Sequence, residues 1–228
     1  MMAMLMRKDW RVYRSAIIGG VILLPVYYLI SLYTEVVWFD PLFLVGQPSE
    51  VRFYQGLYLT AIIAAVFGGL SFATERRDRS AQFLYMLPQS RGRIVLSKLL
   101  VALGCIGVLI LVNIAIMAAH AAYWTWSIPN WPPSSEIRLV LMSTRLEMAL
   151  PFATFSIAWM LGRFTPSPAI AASTSIGVTM GAVFLMHDII WQAGYRRADA
   201  AWGARCAIIA GAIALLVGTI HYLRRVEP

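Results

Sequence analysis

Charge is the scarcest commodity in this chain. Only 13% of its 228 residues are Asp, Glu, Lys or Arg, against about 25% in soluble domains. That argues against a water-soluble globule. Cysteine is limited to Cys105 and Cys206. Each lies inside an apolar run without disulfide or metal-ligand spacing, so both read as small buried apolar residues. Histidine occurs three times, as His120, His187 and His221. No GxxxxGK[ST], HExxH or GxSxG pattern occurs. No catalytic residue and no metal site is spelled out. His187-Asp188 read as polar residues near a membrane interface, because no further ligands accompany them.

What is present is apolar length. Hydrophobic residues make up 60% of the chain and mean hydropathy is +0.70. Apolar stretches of about 18–20 residues read as transmembrane helices. The expected fold is all-α: a polytopic membrane protein, one transmembrane domain over residues 1–228, with six spans. Their approximate limits are 16–33, 56–73, 94–122, 146–161, 169–186 and 204–223. At about 1.5 Å per residue the third exceeds a roughly 30 Å hydrocarbon core, so it tilts or projects. Pro25 marks a possible kink in the first. No cleavable signal peptide is visible, and the first run reads as a retained signal anchor.

The net charge of +8 and pI near 9.9 do not point to nucleic acid, because the positive charge is confined to loops and helix ends. One set of segments holds Arg7, Lys8, Arg11, Arg14, Arg76, Arg77, Arg79, Arg91, Arg93, Lys98, Arg163, Arg224 and Arg225, which is thirteen of the 19 Lys and Arg. By the positive-inside rule these face the cytoplasm, with both termini inside and the chain in the inner membrane. Six of the 8 tryptophans fall in the opposite segments, as an aromatic belt would place them. Residues 1–14 read in two ways. They form an amphipathic helix on the inner surface, with Met6, Trp10 and Tyr13 toward lipid, or a plain positive flank. Glu136–Thr144 reads as an interfacial helix feeding the fourth span. The polar segment His187–Gly203 is expected to fold as a short re-entrant hairpin. Gly177 and Gly181 have GxxxG spacing and suit close helix packing. Asn113 and His120 lie seven apart, along one side of the third span. They either hydrogen-bond between helices, the favoured reading, or line a translocation path.

The most informative stretch is Thr74–Lys98, TERRDRSAQFLYMLPQSRGRIVLSK, the longest polar interval between apolar runs. It encloses an apolar patch, Phe83-Leu84-Tyr85-Met86-Leu87, closed by Pro88. This stretch resembles the loop between the second and third helices of six-helix ABC exporter permeases, the type V class. In that family an acidic residue closes the second helix. A coupling helix, a leucine-rich patch, Pro-x-Ser-Arg, an apolar pair and a lysine opening the third helix follow. The corresponding residues are Glu75, Phe83-Leu84 to Leu87, Pro88-Gln89-Ser90-Arg91, Ile94-Val95 and Lys98. Where family members often have glycine and then glutamate, this chain has Arg79, Ser80, Ala81 and Gln82.

The resemblance implies a permease subunit with a coupling helix at about Glu75–Leu87, docked on a separate ATPase. Phe83, Leu84 and Leu87 would be the apolar anchor, and Glu75, Arg76, Arg77 and Arg79 the charged rim. The implied partners are two ATPase copies, a second permease chain as homodimer or heterodimer, and membrane lipids. No cofactor belongs to this chain, since ATP and Mg would sit on the ATPase. Apolar spans suit a lipid-like or amphipathic cargo. Two rivals stand beside this reading: an integral membrane enzyme, and a membrane scaffold without transport.

Overall fold

A computed structural model describes residues 2–38, 48–77, 90–127, 133–165, 167–192 and 199–224. Among them run six α-helices: α1 (Met2–Trp38), α2 (Pro48–Arg77), α3 (Arg91–Ser127), α4 (Pro133–Phe164), α5 (Pro168–Gln192) and α6 (Asp199–Arg224). No strand occurs among the described residues. Each of the six expected intervals lies inside one helix. Three described stretches are long and apolar enough to cross a membrane: Met4–Ile30, Arg91–Ile116 and Gly203–Arg224. Tyr58–Phe72 and Met148–Phe164 are shorter apolar helices.

The helices are longer than the apolar runs that announce them, and three expectations change. First, residues 2–14 are not a separate surface helix. They continue into the first apolar run as one helix, through Pro25. Its buried positions, Leu5, Asp9, Tyr13, Ile17, Gly20, Leu24 and Tyr28, recur every three or four residues. Tyr13, expected toward lipid, is 1% exposed, whereas Trp10 is exposed. The positive residues do lie outside this stripe, with Arg7, Arg11 and Arg14 exposed. Second, Glu136–Thr144 is part of an unbroken α4. Third, the ends of the expected hairpin are helical continuations: His187–Gln192 prolongs α5 and Asp199–Gly203 opens α6. Residues 193–198 lie outside the described residues.

Helix α4 is the hub, packing most extensively on α2 and α6, while α1 packs on α3 and α2. Its inward side carries Phe155 and Trp159, both fully buried. Phe72 of α2 meets Trp159 edge-on at 4.5 Å and Tyr222 of α6 at 5.1 Å between ring centroids. Close approach of α2 to α4 depends on Gly68, where an added Cβ would lie 2.8 Å from Ala158 Cβ and 2.9 Å from the Trp159 nitrogen. The contacts also fix direction. Tyr13 meets Ser71, and Gly20 lies against Ile63 and Leu109. Gly69 lies against Pro168 and Gly162, while Gly211 and Gly218 lie against Ala153 and Met160. Helices α2, α4 and α6 therefore run one way and α1, α3 and α5 the other.

One end of the bundle thus gathers the start of α1, the end of α2, the starts of α3 and α5, and the ends of α4 and α6. These are the segments that hold most of the Lys and Arg. The outward faces are apolar, with Ile18, Ile22 and Leu29 on α1, Leu111 on α3, and Ile209, Ile213 and Leu216 on α6 all more than half exposed. Such faces suit hydrocarbon, in which helices satisfy their own backbone groups.

Candidate coupling site

At this cation-rich end, α2 finishes at Arg77 and α3 begins at Arg91. Glu75, Arg76 and Arg77 form the last turn of α2 rather than a separate helix. Arg79, Phe83, Leu84 and Leu87 lie outside the described residues. Ser90 starts the next helix, its carbonyl accepting from the Arg93 nitrogen at 2.9 Å. Lys98 does not open α3, as the loop pattern suggested. It lies two turns inside, 3% exposed.

The environment of Lys98 is polar in an otherwise greasy bundle. Its Nζ donates to the Ser71 carbonyl of α2 at 2.8 Å and lies 3.5 Å from Asp9 Oδ1 of α1. The ammonium is also 5.9 Å from the centre of the Phe72 ring, at the outer limit of a cation–π contact. The second oxygen of Asp9 accepts from Ser97 Oγ at 2.7 Å. Asp9 is 6% exposed, so both its oxygens are engaged away from bulk water. One turn along α1, Tyr13 OH and Ser71 Oγ are 2.7 Å apart. Ser71 Oγ donates its single proton to the Phe67 carbonyl at 2.8 Å, which makes Tyr13 the donor. One turn the other way, Leu5 packs on Ile94. Three successive turns of α1 are therefore fixed to α3, α3 and α2.

The rest of this end is closed by α4 and α6. Arg163, in the last turn of α4, is 4% exposed and its guanidinium lies 5.0 Å from the Tyr222 ring centre. A cation there also complements the helix C-terminus. At the far end of the bundle, Tyr28 OH donates to Asn113 Oδ1 at 3.0 Å. This is the helix-to-helix bond favoured for Asn113, which is 1% exposed. His120 lies in α3, with its side chain outside the description. Gly177 and Gly181 of α5 face outward, with nothing within 4 Å of an added Cβ. Among the described residues, close approach between helix backbones falls to Gly68, Gly69, Gly162, Gly211 and Gly218 instead.

Asp9, Tyr13, Ser71 and Ser97 escape a reading based on runs of charge and hydropathy. The available signal is the acid placed four residues from both Leu5 and Tyr13, off the Arg7–Arg11–Arg14 side.

These features define a helical, multi-pass membrane protein braced by buried polar contacts at its cation-rich end. A family model described as ABC-2 family transporter protein matches residues 14–221. The match covers most of the chain, so the chain belongs to that family: it is a transmembrane subunit of an ABC transporter. Membership implies an ABC ATPase as its partner in the transporter. No curated protein and no solved structure matches the chain significantly.

Proposed function

We propose that this chain is the permease of an exporter, with six spans and both termini on the cytoplasmic side of the inner membrane. Its ATPase docks on residues 75–87. Phe83, Leu84 and Leu87 enter an apolar groove on the ATPase, and Glu75, Arg76, Arg77 and Arg79 orient it. The observation that carries this reading is the bond from Lys98 Nζ to the Ser71 carbonyl. It ties the end of α2 to the start of α3, the two helices that flank the docking residues. Force applied between them reaches both helices together. Two ATPase copies supply the stroke, with ATP and Mg bound there. A second permease chain, identical or a sister, completes the pathway, and the outward Gly177 and Gly181 suit close approach of another helix. The cargo is lipid-like or amphipathic, in keeping with few charges inside the spans.

The test is Phe83→Asp or Leu84→Asp in the transporter purified from membranes. The expected result is loss of the co-purifying ATPase with the permease still folded. An ATPase that stays bound to both variants places the docking site elsewhere. The permease alone should not hydrolyse ATP, and measurable turnover by it in isolation would overturn the division of labour.

A further inference from the structure

The start of α1 has no place in a two-helix lever, yet it is built into the braced end. We propose that the buried Asp9–Lys98 pair makes α1 a third moving arm, so that motion imposed on the facing ends of α2 and α3 carries the start of α1 with it. The inference rests on the coupling reading above for the source of that motion. Asp9 and Lys98 are positioning residues here: they touch no cargo and no nucleotide.

Three observations carry it. The first is cost. A basic helix start held by lipid headgroups needs no buried carboxylate, and apolar side chains would fill the same space without a desolvation penalty. The second is directionality. Apolar contacts between helices tolerate sliding, whereas Asp9 is held by Lys98 Nζ at 3.5 Å and Ser97 Oγ at 2.7 Å, both from α3. A carboxylate with both oxygens engaged fixes register as well as proximity. The third is that the brace spans three helices. Lys98 also grips the Ser71 carbonyl, and Ser71 Oγ accepts from Tyr13 of α1. A shift of any one helix along its axis breaks a bond to another.

The experiment uses the assembled transporter, with Cys105 and Cys206 replaced by alanine and the labelled chain diluted with unlabelled chain. Spin-label pairs join Leu216→Cys on α6 to either Trp10→Cys on α1 or Leu96→Cys on α3, all at exposed positions. Distances are compared without nucleotide and with ATP plus vanadate. In the otherwise unaltered chain, residues 10 and 96 should shift together, by at least about 2 Å. In Asp9→Ala/Lys98→Met, which leaves neither charge unpaired, residue 96 should still shift and the shift at residue 10 should be lost.

A residue 10 that stays still in the unaltered chain while residue 96 shifts makes α1 a stationary anchor and ends the proposal. So does a shift at residue 10 that survives the double substitution. A residue 96 that never shifts refutes the lever itself, which is a separate failure.

Discussion

Removing Lys98 alone should damage this protein more than removing Lys98 and Asp9 together. At 3.5 Å and an effective dielectric near 20, the pair carries roughly 4–5 kcal/mol of Coulomb attraction. Lys98→Met cancels it and leaves the Asp9 carboxylate buried, with the Ser97 hydroxyl still donating to it. Breaking a buried pair from one side costs about 3–5 kcal/mol. Asp9→Ala should fall in the same range, because it leaves an ammonium with the Ser71 carbonyl and the Phe72 ring. In the double variant no charge is stranded. What remains is the loss of the bonds from Ser97 to Asp9 and from Lys98 to the Ser71 carbonyl, which the relieved desolvation of two buried charges largely offsets. The cycle should therefore show a coupling energy of at least about 2 kcal/mol, far beyond the roughly 0.5 kcal/mol scatter of independent sites. The assay is reversible unfolding of the purified permease in mixed micelles, for the four chains under one condition. Single-variant costs that simply add would show that the two side chains do not act as a pair. Single costs under about 1 kcal/mol would show that water screens them, as it does at surfaces.

The glycines separate in the same assay: Gly68→Ala should cost about 1–3 kcal/mol, because its Cβ meets Ala158 and the α4 backbone. Gly177→Ala and Gly181→Ala, with open space at each Cβ, should leave the single chain's stability unchanged or slightly raised. Equal effects at all three would refute the packing described here. Tyr28→Phe removes the bond to Asn113 and should cost roughly 0.6 kcal/mol, the average for such bonds between membrane helices. A loss near zero with Asn113→Ala as well would mean that the bond is not made in the membrane.

The six helices were legible because each is announced by an apolar run, and the polar interval at 74–98 separates two of them. Their ends were not. Hydropathy marks where lipid contact stops, whereas a helix continues as long as its backbone bonds do, so α1 starts at Met2 and α5 runs to Gln192. Tyr13 turns inward rather than toward lipid for a related reason. Arg7, Arg11 and Arg14 identify the side that avoids the bundle, but three positive charges say nothing about what covers the opposite side. Asp9 and Tyr13 acquire their partners from residues 71, 97 and 98, far away in the chain. GxxxG spacing has the same weakness. It identifies a helix face that permits close approach, and Gly177 and Gly181 form such a face with none of the described residues within 4 Å of an added Cβ. Gly68 lacks that motif and yet takes the α4 backbone.

The coupling reading draws on both kinds of information. Phe83, Leu84 and Leu87 are recognisable in sequence because an apolar patch inside a basic interval is a local pattern. On the proposed reading, the means of passing force from that interval into the bundle is not local: it would run through the lysine at which three helices meet. Lys98 is the position where the two descriptions coincide. The family pattern marks it as the residue that opens the third helix, and the structure places it inside that helix, gripping the other two. A lysine at the helix mouth would serve headgroups or retention on the inner side. A lysine two turns in, with its charge met by an aspartate from α1 and a carbonyl from α2, serves the relative position of the helices. For that reason Lys98→Arg is not a neutral exchange. The larger planar guanidinium must displace its neighbours, because Nζ already lies 2.8 Å from the Ser71 carbonyl and the cavity beside it measures only about 10 Å³. It should loosen the start of α1 while preserving the charge, with a stability loss of about 1–3 kcal/mol for overpacking. A Lys98→Arg chain as stable as the parent would mean that charge alone, and not the geometry of the brace, is what the site requires.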